Sequence, residues 1–334
     1  MMPMVSETAD SVQQQNKKMR DDNKMQSLLK KPLAAAFAAM ICCMLWGSAF
    51  PLIKIGYSLF DISSDDVVSQ ILFAGIRFFL AGILVILFGS MITKRVLIPN
   101  RKSLPKICLL SLFQTVLQYV FFYIGLANTS GTKGSIINST STFFALLFSC
   151  LIFRQERLNV QKIIGCVIGF AGVVIVNFST GSQSGIAFFG EGFILFSAAS
   201  YAVSSVLIKR FSQSENPVTL SGWQFILGGM IMTLVGLIFG GKLPSVSPKG
   251  VLLVLYLAFL SAAAYTLWGI LLKYNEVSKI AVFGFMTPVF GCLFSALLLG
   301  ERHSVSGVQT IIALALVSLG IIIVNLKRKG DSND

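Results

Sequence analysis

A single histidine, His303, and six scattered cysteines leave little from which to build a metal centre or a nucleophilic site. Cys42, Cys43, Cys108, Cys150, Cys166 and Cys292 all fall within apolar stretches, and no pair has metal-ligand spacing. They read as small buried hydrophobes, and a disulfide framework is not expected. Acidic residues are few, 14 against 27 basic ones, and none lies in the middle of a long apolar run. That weighs against a central carboxylate proton relay, though a carboxylate at a cavity mouth could still couple protons. A G-x-x-x-x-G-K-S/T loop is absent, so ATP drive from this chain is not expected. Long polar stretches are also missing after residue 32, which leaves no material for a soluble domain.

What the chain has instead is ten apolar runs, roughly 33–55, 69–91, 104–126, 134–153, 160–178, 188–208, 219–239, 249–272, 278–299 and 305–325. Each holds about 20 residues, enough for a helix to cross a hydrocarbon core of about 30 Å. Helices are expected because a lipid-exposed backbone must satisfy its own hydrogen bonds. If the runs are taken in turn across a membrane, 21 Lys and Arg fall on the side of the termini and five on the other, with Arg77 inside a run. Such a bias predicts a multi-pass protein of the cytoplasmic membrane with both termini in the cytoplasm. The net charge of +13 is thereby read as a topology signal, and nucleic acid is not an expected partner. Residues 1–32 are expected to form a disordered basic tail with some attraction to anionic lipid, and 327–334 a second cytoplasmic tail.

The chain also repeats itself. Gly75, Gly82 and Gly89 in run two recur as Gly222, Gly229 and Gly236 in run seven, each 147 residues later. Glycines seven apart lie near one helix face and admit a close neighbour. Leu52-Ile53-Lys54 is echoed by Leu207-Ile208-Lys209, Glu156-Arg157 by Glu301-Arg302, and Ile175-Val176-Asn177 by Ile323-Val324-Asn325. The halves are therefore 33–178 and 186–326. Five runs per half is an odd number, so the second half must enter the membrane from the opposite side. The expected fold is an all-α membrane protein of ten transmembrane helices, arranged as two inverted five-helix repeats around a central cavity.

Trp46-Gly47-Ser48-Ala49-Phe50 with Lys54, Arg77-Phe78, Thr287-Pro288-Val289-Phe290 and Leu299-Gly300-Glu301-Arg302 resemble the drug/metabolite transporter superfamily, specifically its EamA-type repeat, over residues 33–326. Run four departs from the pattern with Thr142-Phe143 where proline is usual. Run six departs with Tyr201-Ala202-Val203-Ser204-Ser205 in place of the tryptophan-glycine motif. The resemblance implies a bundle around a cavity that carries small organic metabolites, such as amino acids, or drugs, and it favours export.

Arg77 lies roughly 12 Å below the outer end of its run at 1.5 Å per residue. A charge at that depth faces a cavity or a partner, so it either holds a substrate carboxylate or braces the wall. The resemblance, whose motif carries an arginine here, favours the structural or gating role. Lys54 follows Pro51 by three residues and reads as part of a gate or as an interfacial, snorkelling lysine. Gln114 and Gln118, four apart, are expected to share a helix face on the cavity wall, with Tyr119 and Tyr123 beside it. Polar and aromatic positions in runs four, six and eight, among them Asn138 to Thr142, Tyr201, Ser261, Tyr265 and Trp268, extend that wall. Trp46 and Pro288 join it through the motifs that carry the resemblance. Glu156 and Glu301 either cap a helix, latch a gate or sit in solvated turns, the last being the simpler reading. Gly165 and Gly169 can pack a neighbouring helix or a second protomer in a homodimer, and the intramolecular use is favoured.

These features together predict a secondary transporter of small organic solutes, with the lipid bilayer as its other partner and no cofactor. A membrane scaffold or sensor is the first alternative. A membrane-embedded enzyme would need a convergent set of His, Asp, Glu or Cys groups that the sequence does not supply.

Overall fold

Among the residues that the computed structural model describes, every regular element is helical. The structure describes residues 26–129, 134, 137–178, 188–299 and 307–326. The tail through residue 25, Lys133, the joint 179–187, the Glu301-Arg302-His303 turn and the tail 327–334 lie outside the described residues.

Seven helices are long and apolar enough to cross a membrane: α1 (Pro32–Phe60), α2 (Val67–Thr93), α3 (Arg101–Ala127), α6 (Phe188–Phe211), α7 (Pro217–Ile238), α8 (Pro248–Tyr274) and α9 (Val277–Leu298). Three further apolar helices occupy the remaining runs, α4 (Ile137–Ile152), α5 (Val160–Phe178) and α10 (Gly307–Asn325). Proline opens α1, α7 and α8, where its missing N–H costs nothing. Asp66, Asn216 and Ser247 cap α2, α7 and α8 by accepting a first-turn backbone N–H. Pro51 does not interrupt α1.

Two ends of the bundle are defined by contacts between joints. At one end Lys106 pairs with Glu215 at 2.8 Å, Gln161 donates to the Ile323 carbonyl, and Asn275 donates to the Leu29 carbonyl. The hydrogen bond from Lys106 holds the Glu215 carboxyl below its ordinary value. At the other end Lys54 donates to the Thr129 carbonyl at 3.3 Å and the Lys242 N–H to Ser69 at 2.9 Å. The first end carries most of the described Lys and Arg outside the helix middles and is called the basic end below.

Helices α2 and α7 pack directly on each other through the duplicated glycines. A Cβ on Gly82 would sit 2.5 Å from the Ile226 nitrogen, and one on Gly229 would fall on the Phe79 backbone. The two triplets thus serve one shared interface. Gly165 and Gly169 are used within the chain: a Cβ on Gly165 would lie 2.8 Å from the Gly320 carbonyl of α10.

Buried apolar side chains form two large clusters and a small third one of Leu146, Cys150 and Cys166. One large cluster, with Trp268, Leu271 and Val277, fills the basic-end half, and the other, with Phe73, Phe78 and Tyr123, fills the opposite half. Trp46 packs against both, which places it at the level where the two cores meet.

Candidate functional site

A cavity of about 70 Å³ opens at that level. It is well above the roughly 10–15 Å³ a cavity needs to hold one water. Its walls come from α1, α2, α3, α4, α6, α8 and α9, so no single helix forms it.

One wall is aromatic. The Trp46 ring lies 4.9 Å from Trp268, 5.1 Å from Tyr265 and 6.0 Å from Tyr201, each in an edge-on arrangement. Such packing presents ring edges and faces in a fixed geometry. The Nε1–H groups of Trp46 and Trp268 are buried and have no hydrogen-bond partner among the described residues, and the Gln118 Oε1 is in the same state. All three residues line the cavity, though unpaired buried side-chain atoms also occur away from it, as at Gln70 and Gln224. Gln118 spends its amide on the Tyr265 hydroxyl at 2.9 Å, and Tyr265 is also hydrogen-bonded to Tyr119.

Arg77 closes a second side and is 1% exposed. Its Nε donates to the Leu257 carbonyl at 3.2 Å, Nη1 to the Tyr123 hydroxyl at 2.6 Å and Nη2 to the Ser261 hydroxyl at 2.9 Å. All three acceptors are neutral, and no carboxylate pairs with Arg77 among the described residues. The fork ties α2 to α3 and α8, and it leaves one uncompensated positive charge at the cavity.

The third side is shared by α4 and α9. Thr142 donates to the Ala281 carbonyl at 3.1 Å, and Asn138, Ser141, Thr287 and Pro288 line the cavity beside this contact.

Of the residues expected from the sequence, Trp46, Arg77, Gln118, Tyr201, Tyr265, Trp268 and Pro288 line one cavity. Gln114 and Lys54 do not. Gln114 is buried in a π-helical stretch, Ser111–Leu117, one turn nearer the basic end than Gln118, and lies off the cavity wall. Lys54 is partly buried on α1 towards the opposite end, where it meets the Thr129 carbonyl. Phe122 and Gly284 also line the cavity, and the sequence did not mark them because apolar residues inside apolar runs carry no distinguishing signal.

Glu156 departs most from its simplest reading. Its side chain is 5% exposed, and it takes up backbone N–H groups at the start of α9 and not in a solvated turn.

The family model described as the EamA-like transporter family matches residues 33–178 and 188–326. An uncharacterized transporter of Archaeoglobus fulgidus is 30% identical over 293 residues, covering 85% of this chain and 95% of the relative. A protein of Salmonella typhimurium named "probable amino-acid metabolite efflux pump" is 25% identical over 300 residues, covering 86% and 93%. One of Escherichia coli K12 with the same name is 25% identical over 293 residues, covering 84% and 91%. A crystal structure aligns with a TM-score of 0.69 at 19% identity, over 87% of this chain and 96% of that one, a likeness of fold.

Proposed function

Because this chain belongs to the EamA-like transporter family and is a transporter of small metabolites, we propose that its central cavity is the solute site of an alternating-access cycle. The observation that carries this reading is the convergence on one aromatic-walled cavity of three residues with an unpaired buried polar atom, Trp46, Trp268 and Gln118. A solute with an acceptor and a donor on an otherwise apolar body satisfies those atoms, and the rings cover its apolar part. The Arg77 charge favours a carboxylate on that solute. Amino acids and their metabolites combine these features, and two relatives carry such substrates in their names.

The bundle moves as two inverted five-helix repeats. Support comes from repeat-mate lysines that do the same task at opposite ends. Lys54 of α1 meets the Thr129 carbonyl beyond α3, and Lys209 of α6 meets the Lys273 and Asn275 carbonyls at the end of α8. Repeat mates α2 and α7, and α5 and α10, also pack as pairs through glycines. The basic end faces the cytoplasm of the cell membrane, in keeping with the charge bias, and the net direction is export.

A thermal-shift panel of amino acids and related carboxylates on the purified protein tests the site. At least one compound should raise Tm, and Trp268→Phe, which keeps a ring and removes the N–H, should weaken that compound about tenfold for one lost hydrogen bond. Unchanged affinity in Trp268→Phe would remove the indole donors from the site.

A further inference from the structure

The cavity does not account for Glu156, the most heavily hydrogen-bonded carboxylate among the described residues. It sits in the joint between α4 and α5, at the basic end. On its own side it accepts from the Ser149 hydroxyl at 3.0 Å and the Lys162 ammonium at 2.9 Å. Across the joint it accepts from the backbone N–H of Val277 at 2.5 Å, from the N–H of Ser278 at 3.3 Å, and from the Ser278 hydroxyl. Glu276, which holds the N-cap position of α9, makes no side-chain cap there. It receives Lys162 at 3.0 Å and Lys279 at 2.9 Å instead. Burial alone would raise the Glu276 carboxyl, but the hydrogen bonds from Lys279 and Lys162 hold it below its ordinary value. The cap of α9 is therefore supplied in trans, from a residue 121 positions earlier.

The division of partners matters. Ser149 and Lys162 travel with Glu156 and hold its carboxylate in place, whereas the N–H groups of α9 belong to the element opposite. Helix-terminal N–H groups have no intrahelical partner, so a carboxylate there is stabilised by both hydrogen bonds and the helix dipole. If the joint opens, water can take over both sides of the contact, which makes it reversible in a way that interlocked apolar side chains are not. Helices α4 and α9 also meet at the cavity, through Thr142 and Ala281. Glu156 thus fastens, at the basic end, the two helices that form one wall of the solute site.

We propose that Glu156 is the releasable clasp of the basic-end gate. It holds α9 against the α4–α5 joint while the cavity is shut on that side, and it lets go when the two helices part. The inference rests on the alternating-access reading and names the residue that regulates it. Glu156 acts through α9 and is a positioning residue.

The test uses Ser141→Cys, at the cavity wall, as a reporter in the full-length protein in proteoliposomes. Labelling by a membrane-impermeant thiol reagent is read at that peptide by mass spectrometry, which separates it from the native cysteines. In Glu156→Gln the amide nitrogen points a donor at the donors of α9 or Lys162. Labelling from the basic side should rise about tenfold, as expected for losing hydrogen bonds to a charged group, and labelling from the opposite side should fall. Glu156→Asp, which keeps the charge with a shorter reach, should lie between. Ser278→Ala removes one cross-joint donor and keeps the backbone of α9, so it should shift labelling the same way by a smaller factor and serves if Glu156→Gln does not fold. Labelling that is unchanged in these variants, or that rises equally from both sides with a fall in Tm, would overturn the clasp and leave Glu156 a structural cap. The labelling needs no solute, so loss of counterflow by the unaltered chain would count against the transport cycle and not against the clasp.

Discussion

Arg77 shows how a single residue can be both buried and charged without an acid beside it. Its fork is spread over three acceptors on two neighbouring helices, a geometry that a planar guanidinium meets and a lysine does not. Arg77→Gln leaves the Tyr123 and Ser261 hydroxyls without their donor, at a cost of roughly 1–3 kcal/mol for the stranded groups. We expect a lower Tm in detergent and reduced flux of every solute, with acidic solutes losing most. Loss confined to acidic solutes at unchanged Tm would instead make Arg77 a substrate ligand. Gln118 and Gln114 form the matched contrast. Gln118→Ala should alter solute preference in a transport competition assay, whereas Gln114→Ala, off the cavity wall, should leave preference as it was. The reverse pattern would place Gln114, and not Gln118, on the solute's path.

At the scale of elements, the α2–α7 interface depends on backbones that touch where glycine stands. Gly82→Leu and Gly229→Leu must each push a side chain into the partner backbone. Overpacking of this kind costs about 1–3 kcal/mol or more, so both variants should give lower folded yield and a lower Tm by size-exclusion chromatography and thermal unfolding. Wild-type yield in both would show that the seven-residue spacing has no structural use. The helices themselves were legible in the sequence, because a 20-residue apolar run leaves a chain in lipid few other choices. The glycine repeat announced close packing, though not that the two triplets meet each other. The π-helical turns at Ser111–Leu117, Phe148–Ile152 and Phe188–Gly192 were not legible, since hydrophobicity does not record how many residues complete a turn. The partner of Glu156 was hidden for a different reason. A cap supplied from a distant part of the chain leaves no mark on the local sequence of either helix.

For the whole molecule, the arrangement combines two apolar cores, a small polar and aromatic chamber where they meet, and a charged fastening at the basic end. In the proposed cycle the cores move as units and the chamber holds the solute. Alternation then needs only the joints at either end to open in turn, and a solute shifts that equilibrium by as much as it binds one state better than the other. The central claim is that this chain carries small metabolites through that chamber by such a cycle. Its most direct test is counterflow in proteoliposomes preloaded with an unlabelled amino acid or metabolite that raises Tm, with a trace of the labelled compound outside. The account predicts a transient accumulation of label above equilibrium, without ATP, that is reduced in Trp268→Phe. Label entry no faster than into protein-free liposomes, for every compound that binds, would contradict it.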